Sequence, residues 1–351
     1  MNNPIRALAL VAATCLLAIG GCATQPSKVP EPAPVANSVL RSLAIDRTLE
    51  DRILALDPER ITEDDVRTTL AAAPAPRIIL LHGGVYPVYL AMVSFGRFLI
   101  EMGYPDAKIR DPGDRRWSYS PYQDSAQIAG LVAWAYERDG VRPMLIGHSQ
   151  GGIQAVKVLR ELDGAFGDRI PVWDPISDSA ENRTTIVDPL TGAVRPVLGL
   201  SVSYASSVGA GGAALLLPNQ WTMMGRLRTI PDTVDEFTGY AIGLDLFAWT
   251  VPGAEEADKY RHNGRAQVRN IVLPAWYNHV TVPFTQDLAE NPQARAWISA
   301  YAPGEVKTPV PLEESGRSVL WAADVWYSIK KHWCLETQRL IHARRAALGA
   351  M

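Results

Sequence analysis

Gly147 and Gly151 bracket Ser149 in Pro143-Met144-Leu145-Ile146-Gly147-His148-Ser149-Gln150-Gly151-Gly152. This Gly-x-Ser-x-Gly spacing is that of a nucleophile elbow, which presents a serine hydroxyl for attack on an electrophilic carbon. The spacing has a steric reason. Met144 to Ile146 reads as a short buried strand and the stretch from Gln150 to Leu162 as a helix. The serine between them sits in a strained turn where a Cβ at either flanking position would strike neighbouring backbone. The helix N-terminus behind it supplies N–H donors and a positive dipole end for developing negative charge. A serine hydroxyl is a poor nucleophile at neutral pH, so it needs a base within hydrogen-bond reach and an acid to orient that base.

Six histidines are available as the base. His148 lies in the turn and faces away by geometry, and His82 sits in a loop after another strand; both read as structural. His262 belongs to a solvated-looking polar run, Lys259 to Arg265, while His332 and His342 sit on a charged helix. Of those not set aside as structural, His279 alone directly follows an apolar strand. For the acid, Asp245 stands inside the apolar run Ile242-Gly243-Leu244-Asp245-Leu246-Phe247. A carboxylate there is costly to bury unless paired, and an imidazole N–H would pair it. Asp258 is the alternative, although Glu255, Glu256 and Lys259 around it suggest a solvated face.

The elements that position these residues alternate. Val39 to Leu56 is amphipathic, and Thr62-Glu63-Asp64-Asp65 opens a second helix with a capping box, ended by Pro74. Arg77 to Leu81 is a buried strand running into His82-Gly83-Gly84. Tyr89 to Met102 is helical, Lys108 to Asp111 is a candidate short strand, and Asp124 to Arg138 is a helix capped by Ser120 or Asp124. Such alternation implies an α/β fold, a mostly parallel central sheet with helices on both faces. Further on, Arg183 to Arg195 reads as an inserted β-hairpin with a D-P-x-T-G turn, and Val197 to Ala205 as the next core strand. Gly209 to Met224 is apolar without strand alternation; it is either a cap over the site, with an acyl pocket beneath, or an ordinary buried helix. Gln267 to Tyr277 is the last core strand. Val319, Trp326, Ile329, Trp333 and Leu340 form one stripe of a C-terminal helix, read as core.

With His82-Gly83-Gly84 after one strand and Gly147-His148-Ser149-Gln150-Gly151 after another, the chain resembles the α/β-hydrolase superfamily. The likeness is closest over residues 75–163, and Gly-His-Ser-Gln-Gly is most similar to lipases, esterases and related acyl hydrolases. It implies a Ser…Asp/Glu…His order and an oxyanion hole shared by two loops, from the Gln150 N–H and one of Gly83, Gly84 or Val85. It places the base at His279, after the strand, and an acid between Ser149 and His279 in the chain, an order that both Asp245 and Asp258 satisfy. A different alignment stays open. Val280-Thr281-Val282-Pro283 is similar to the V-x-V-P tail that often follows the acid loop in this superfamily, which would leave His332 as the base. On this resemblance the chain is a serine hydrolase of small-molecule or lipid carboxylic esters. An acyltransferase using the same residues, or an envelope protein that keeps the fold as a binding scaffold, are the alternatives, and amide cleavage is open too.

Composition bounds the rest. The chain has 351 residues, 47% hydrophobic and 20% charged, with a net charge of −3 and no basic stripe, which argues against nucleic acid as a partner. Neither H-E-x-x-H nor paired cysteines occur, and no G-x-G-x-x-G follows a strand, so neither a metal nor a nucleotide cofactor is expected. Arg6 precedes an apolar core from Ala7 to Ile19, too short to span a bilayer, and then Ile19-Gly20-Gly21-Cys22. That string resembles a bacterial lipobox, with Cys22 the lipidated residue; a plain secretory signal is the alternative. The expected organisation is a signal peptide at 1–21, a Pro-rich tether at 22–38 and one domain at 39–351, with hairpin and cap insertions within about 164–265. The protein would then be anchored in the cell envelope, meeting the membrane through its N-terminal lipid. Of three cysteines, Cys334 would remain without a disulfide partner.

Overall fold

A computed structural model describes residues 38–250, 253, 255–304 and 318–349. The expected signal peptide, Cys22 and the tether up to residue 37 lie outside the described residues. The centre is a five-stranded parallel sheet whose spatial order follows the chain: β1 (Ile78–Leu81), β2 (Met144–His148), β3 (Val202–Val208), β4 (Val234–Ile242) and β5 (Gln267–Leu273). Side chains alternate between two apolar layers. Ile78, Leu80, Met144 and Ile146 face one layer, and Ile79, Leu81 and Leu145 face the other. Helices α1 (Tyr86–Glu101) and α4 (Val319–Gly349) fill the first layer; α2 (Ser125–Asp139) and α3 (Gln150–Leu162) fill the second. Both faces are covered, which is why β1 and β2 read as continuous apolar runs.

Local signals set several boundaries. Thr62 and Asp65 form the reciprocal capping box that starts the helix Glu63–Thr68, and the Asp124 carboxylate accepts from Ala126 N–H at the start of α2. The α4 stripe Val319, Trp326, Ile329, Trp333 and Leu340 is buried. The Asp188 side chain accepts from the N–H groups of Leu190 and Thr191, closing the hairpin between Thr185–Val187 and Val194–Pro196.

Other stretches differ from expectation. Lys108 to Asp111 is not a strand: Asp106–Lys108 is a 3-10 turn, and the Asp111 carboxylate draws the chain round by accepting from Gly113 and Asp114 N–H. The residue that bridges the free edge of β1 is Tyr119, paired with Leu81. Gly209 to Met224 is no buried helix either; it makes two 3-10 turns, Gly212–Leu216 and Pro218–Met223, with Leu216 and Trp221 exposed.

Strand β4 has no apolar run to announce it, because Asp235, Glu236 and Gly239 interrupt it. Tertiary partners make these residues tolerable. Buried Glu236 bonds Arg269 at 2.9 Å and Lys331 at 2.9 Å. Burial alone would raise its carboxyl, but His332, Lys331 and Arg269 pull it well below the usual carboxylate range. Gly239 makes room for the Tyr260 ring. Arg269 also reaches the fully buried Asp324 of α4 at 3.0 Å, tying that helix to the sheet.

Candidate active site

Ser149 lies between β2 and α3 with φ 57° and ψ −126°, a conformation costly for a residue with a Cβ. Its surroundings leave no relaxed alternative. A Cβ on Gly147 would come within 2.6 Å of Gly152 Cα, and one on Gly151 would run into the carbonyl oxygens of Leu81 and His82. The Ser149 N–H is tied to Val208 O of β3 at 2.8 Å. The turn is therefore clamped from both neighbouring strands, and its side chain stays half-buried at the carboxyl end of the sheet.

The structure brings Ser149, His279 and Asp245 together. His279 Nε2 is 2.9 Å from Ser149 Oγ, and His279 Nδ1 is 2.6 Å from Asp245 Oδ2. Asp245, in the loop after β4, is 2% exposed. Its Oδ1 accepts from the N–H groups of Phe247 and Ala248 at 3.0 and 3.1 Å, so both carboxylate oxygens have donors. Paired backbone bonds between Asp245 and Thr250 close this loop. Because a carboxylate only accepts here, His279 Nδ1 carries the proton and Nε2 presents its lone pair to the serine. Gly209, at φ 62°, leaves space for the imidazole: a Cβ there would sit 3.0 Å from Nδ1.

On the other side of the hydroxyl, the Gly83 and Gly84 N–H groups have no acceptor among the described residues. Gly83 is close to the serine, since a Cβ on it would lie 2.9 Å from Ser149 Cβ and 3.2 Å from Oγ. Gln150 is the first residue of α3, where a backbone N–H has no partner within the helix. Three donors thus border one corner of the site. Val85 begins α1 as its N-cap and is exposed.

The remaining candidates are elsewhere. His332 is buried, 3.3 Å from Glu236 Oε2 near the amino end of β4, and stacks on Tyr204. Asp258 is 2.8 Å from Arg228. His262 is exposed and bonded to Gly264 O, and His342 is exposed on α4. His82 donates from Nδ1 to Gly83 O at 2.7 Å, and burial depresses its pKa. The sequence does not reveal what holds Asp245 and His279: the Phe247 and Ala248 N–H groups, and a hydrogen bond from His148 Nε2 to His279 O at 2.6 Å. Backbone donors leave no mark in a sequence.

Among the described residues no cluster of His, Cys, Asp and Glu could hold a metal ion, and no helix is long and apolar enough to cross a membrane. Cys334 is a buried free thiol, with its pKa pushed up to about 12 by burial. The chain matches no model of a known protein family, and no curated protein matches it.

Proposed function

We propose that the protein is a serine hydrolase of α/β-hydrolase fold that cleaves carboxylic esters through an acyl-serine intermediate. The observation that carries this reading is the chain Ser149–His279–Asp245, at 2.9 and 2.6 Å, on a serine held at positive φ. In the first step Ser149 Oγ attacks the ester carbonyl carbon while its proton passes to His279 Nε2. Asp245 stabilises the imidazolium that forms. The oxyanion is received by the N–H of Gln150 with that of Gly83 or Gly84. Collapse breaks the bond to the alkoxy oxygen, which leaves with the proton from Nε2. Water, deprotonated by the same nitrogen, then releases the acid and restores the serine.

Large apolar side chains left exposed on the loops that carry or touch the site residues favour an ester with an apolar acyl chain. Leu246, Phe247 and Trp249 stand out from the acid loop, Trp276 follows β5, and Leu216 and Trp221 come from the turns after β3. Those turns take the part of a small cap: Asn219 and Gln220 reach Pro121 O, and Gln150 reaches Asn219. Cys22 is read as the lipid attachment site that anchors the domain in the cell envelope. The test is Ser149→Ala. It should remove hydrolysis of p-nitrophenyl esters, by roughly 10⁶ in kcat, together with labelling by a fluorophosphonate. Unchanged turnover in the folded variant would remove the proposal.

A further inference from the structure

We propose that His148 is a positioning residue, holding the His279 main chain at the distance from which its imidazole reaches Ser149. This rests on the reading of Ser149 and His279 as nucleophile and base. His148 ends β2, is 0% exposed, and stands next to the nucleophile in sequence. Its Nε2 lies 2.6 Å from His279 O. A carbonyl oxygen only accepts, so Nε2 carries the hydrogen and the neutral ring leaves Nδ1 bare. Nδ1 is buried and has no hydrogen-bond partner.

The bond matters because, among the described residues, it is the hydrogen bond that ties the His279 main chain itself to the sheet, although Tyr277 and Val282 on either side are buried in the core. Strand β5 stops at Leu273, and the peptides after it close on themselves: Asn278 O accepts from Thr281 and Val282 N–H, and Asn278 Oδ1 accepts from Val280 N–H. Among the described residues, His148 is the one donor to the His279 carbonyl. Ser149 is fixed independently through its N–H to Val208 O. A closed circuit results, from the Ser149 backbone through the His148 ring to the His279 backbone, and back through the His279 ring to Ser149 Oγ. Cutting it at His148 frees one side of a 2.9 Å contact.

Burial and the neighbouring His279, rather than the contact itself, keep the ring uncharged. The two imidazoles are 5.4 Å apart between centroids, and His279 becomes a cation during each acyl transfer. Burial, together with His279 beside it, holds the His148 pKa at about 3, so His148 stays neutral while its neighbour cycles. Its free Nδ1 is the cost of a donor that never competes for the proton.

The experiment compares His148→Phe, which fills the site without a donor, with His148→Gln, whose amide nitrogen reaches the place of Nε2. Loss of alignment of about 1 Å costs on the order of 10² in rate. His148→Phe should therefore lose about 10- to 100-fold in kcat on p-nitrophenyl butyrate with KM little changed, and His148→Gln should recover most of it. A Phe variant with wild-type kcat, or a Gln variant as slow as the Phe one, overturns the proposal. Nitrogen-15 histidine spectra of the wild type judge it without either variant or any activity. His148 should stay neutral with hydrogen on Nε2 from about pH 5 to 9, and titration or the other tautomer overturns the proposal. A wild type inert to both ester and fluorophosphonate would defeat the hydrolase reading instead, while the spectra still decide whether His148 donates to His279.

Discussion

Replacing Asp245 by Asn changes one atom, and the structure says what that atom must do. Asp245 Oδ1 accepts from two backbone N–H groups, Phe247 at 3.0 Å and Ala248 at 3.1 Å, while Oδ2 accepts from His279 Nδ1 at 2.6 Å. In Asp245→Asn the single remaining oxygen stays with the two backbone donors, because turning the amide would aim its NH₂ at both. The NH₂ then faces His279, which answers by moving its hydrogen from Nδ1 to Nε2. That hydrogen now points at Ser149 Oγ across 2.9 Å, and no lone pair is left to take the serine proton. Loss of the correct tautomer costs on the order of 10⁴ in kcat, about 5.4 kcal/mol of barrier. Folding should suffer little, since the loop keeps its backbone bonds. The assay is steady-state hydrolysis of p-nitrophenyl butyrate beside a thermal melt. A folded variant within tenfold of wild type would refute the assignment of Asp245 and the tautomer argument with it.

Gly83→Ala puts a methyl group 2.9 Å from Ser149 Cβ and 2.8 Å from Val88 Cγ1. It should displace the Gly83–Gly84 loop beside Ser149 and lower kcat by about 10²–10³, with less effect on KM; an active variant would refute the proposal that this loop supplies an oxyanion donor. Stability should fall in acid in two phases. The folded pKa of His148 is about 3, below its ordinary 6.5, so the unfolded chain takes up the proton first. That contribution is complete above pH 6.5 and is lost as pH falls towards 3. The depressed Glu236 carboxyl adds a loss that begins near its ordinary value of 4.5 and deepens below it. Urea midpoints measured across this range should decline in that order, with His148→Gln flattening the first phase and Glu236→Gln the second. Stability that rises on going from pH 6.5 to 4 would contradict the first phase, and stability that rises as pH falls below 4.5 the second.

Much of the architecture is legible in the chain. Ile78 to Leu81 and Met144 to Ile146 read as buried strands because strands covered on both faces need apolar residues throughout. The capping signals at Thr62 and Asp124 and the turn at Asp188 act over a few residues, so the sequence contains the whole of their cause. Strand β4 was hidden for the opposite reason. Glu236 is acceptable in the sheet only because Arg269, Lys331 and His332 arrive from elsewhere, and no local pattern announces partners that distant. The expected strand at Lys108 to Asp111 failed because the Asp111 side chain captures the following N–H groups.

The site divides along the same line. Ser149 and its glycines form a local device: the conformation of one tight turn, with the strand before it and the helix after it, is written in consecutive residues. Six histidines and several acids, by contrast, are equal candidates in composition. The apolar strand before His279 and the apolar run around Asp245 mark these two in the sequence, but whether either reaches Ser149 is a matter of distances across separate loops, which follow from strand order and crossover and so depend on packing over the whole sheet. Tertiary structure alone sets His279 and Asp245 beside Ser149 and sends His332 to the other end of β4. It also turns His148, next to the serine in sequence, toward the carbonyl of His279.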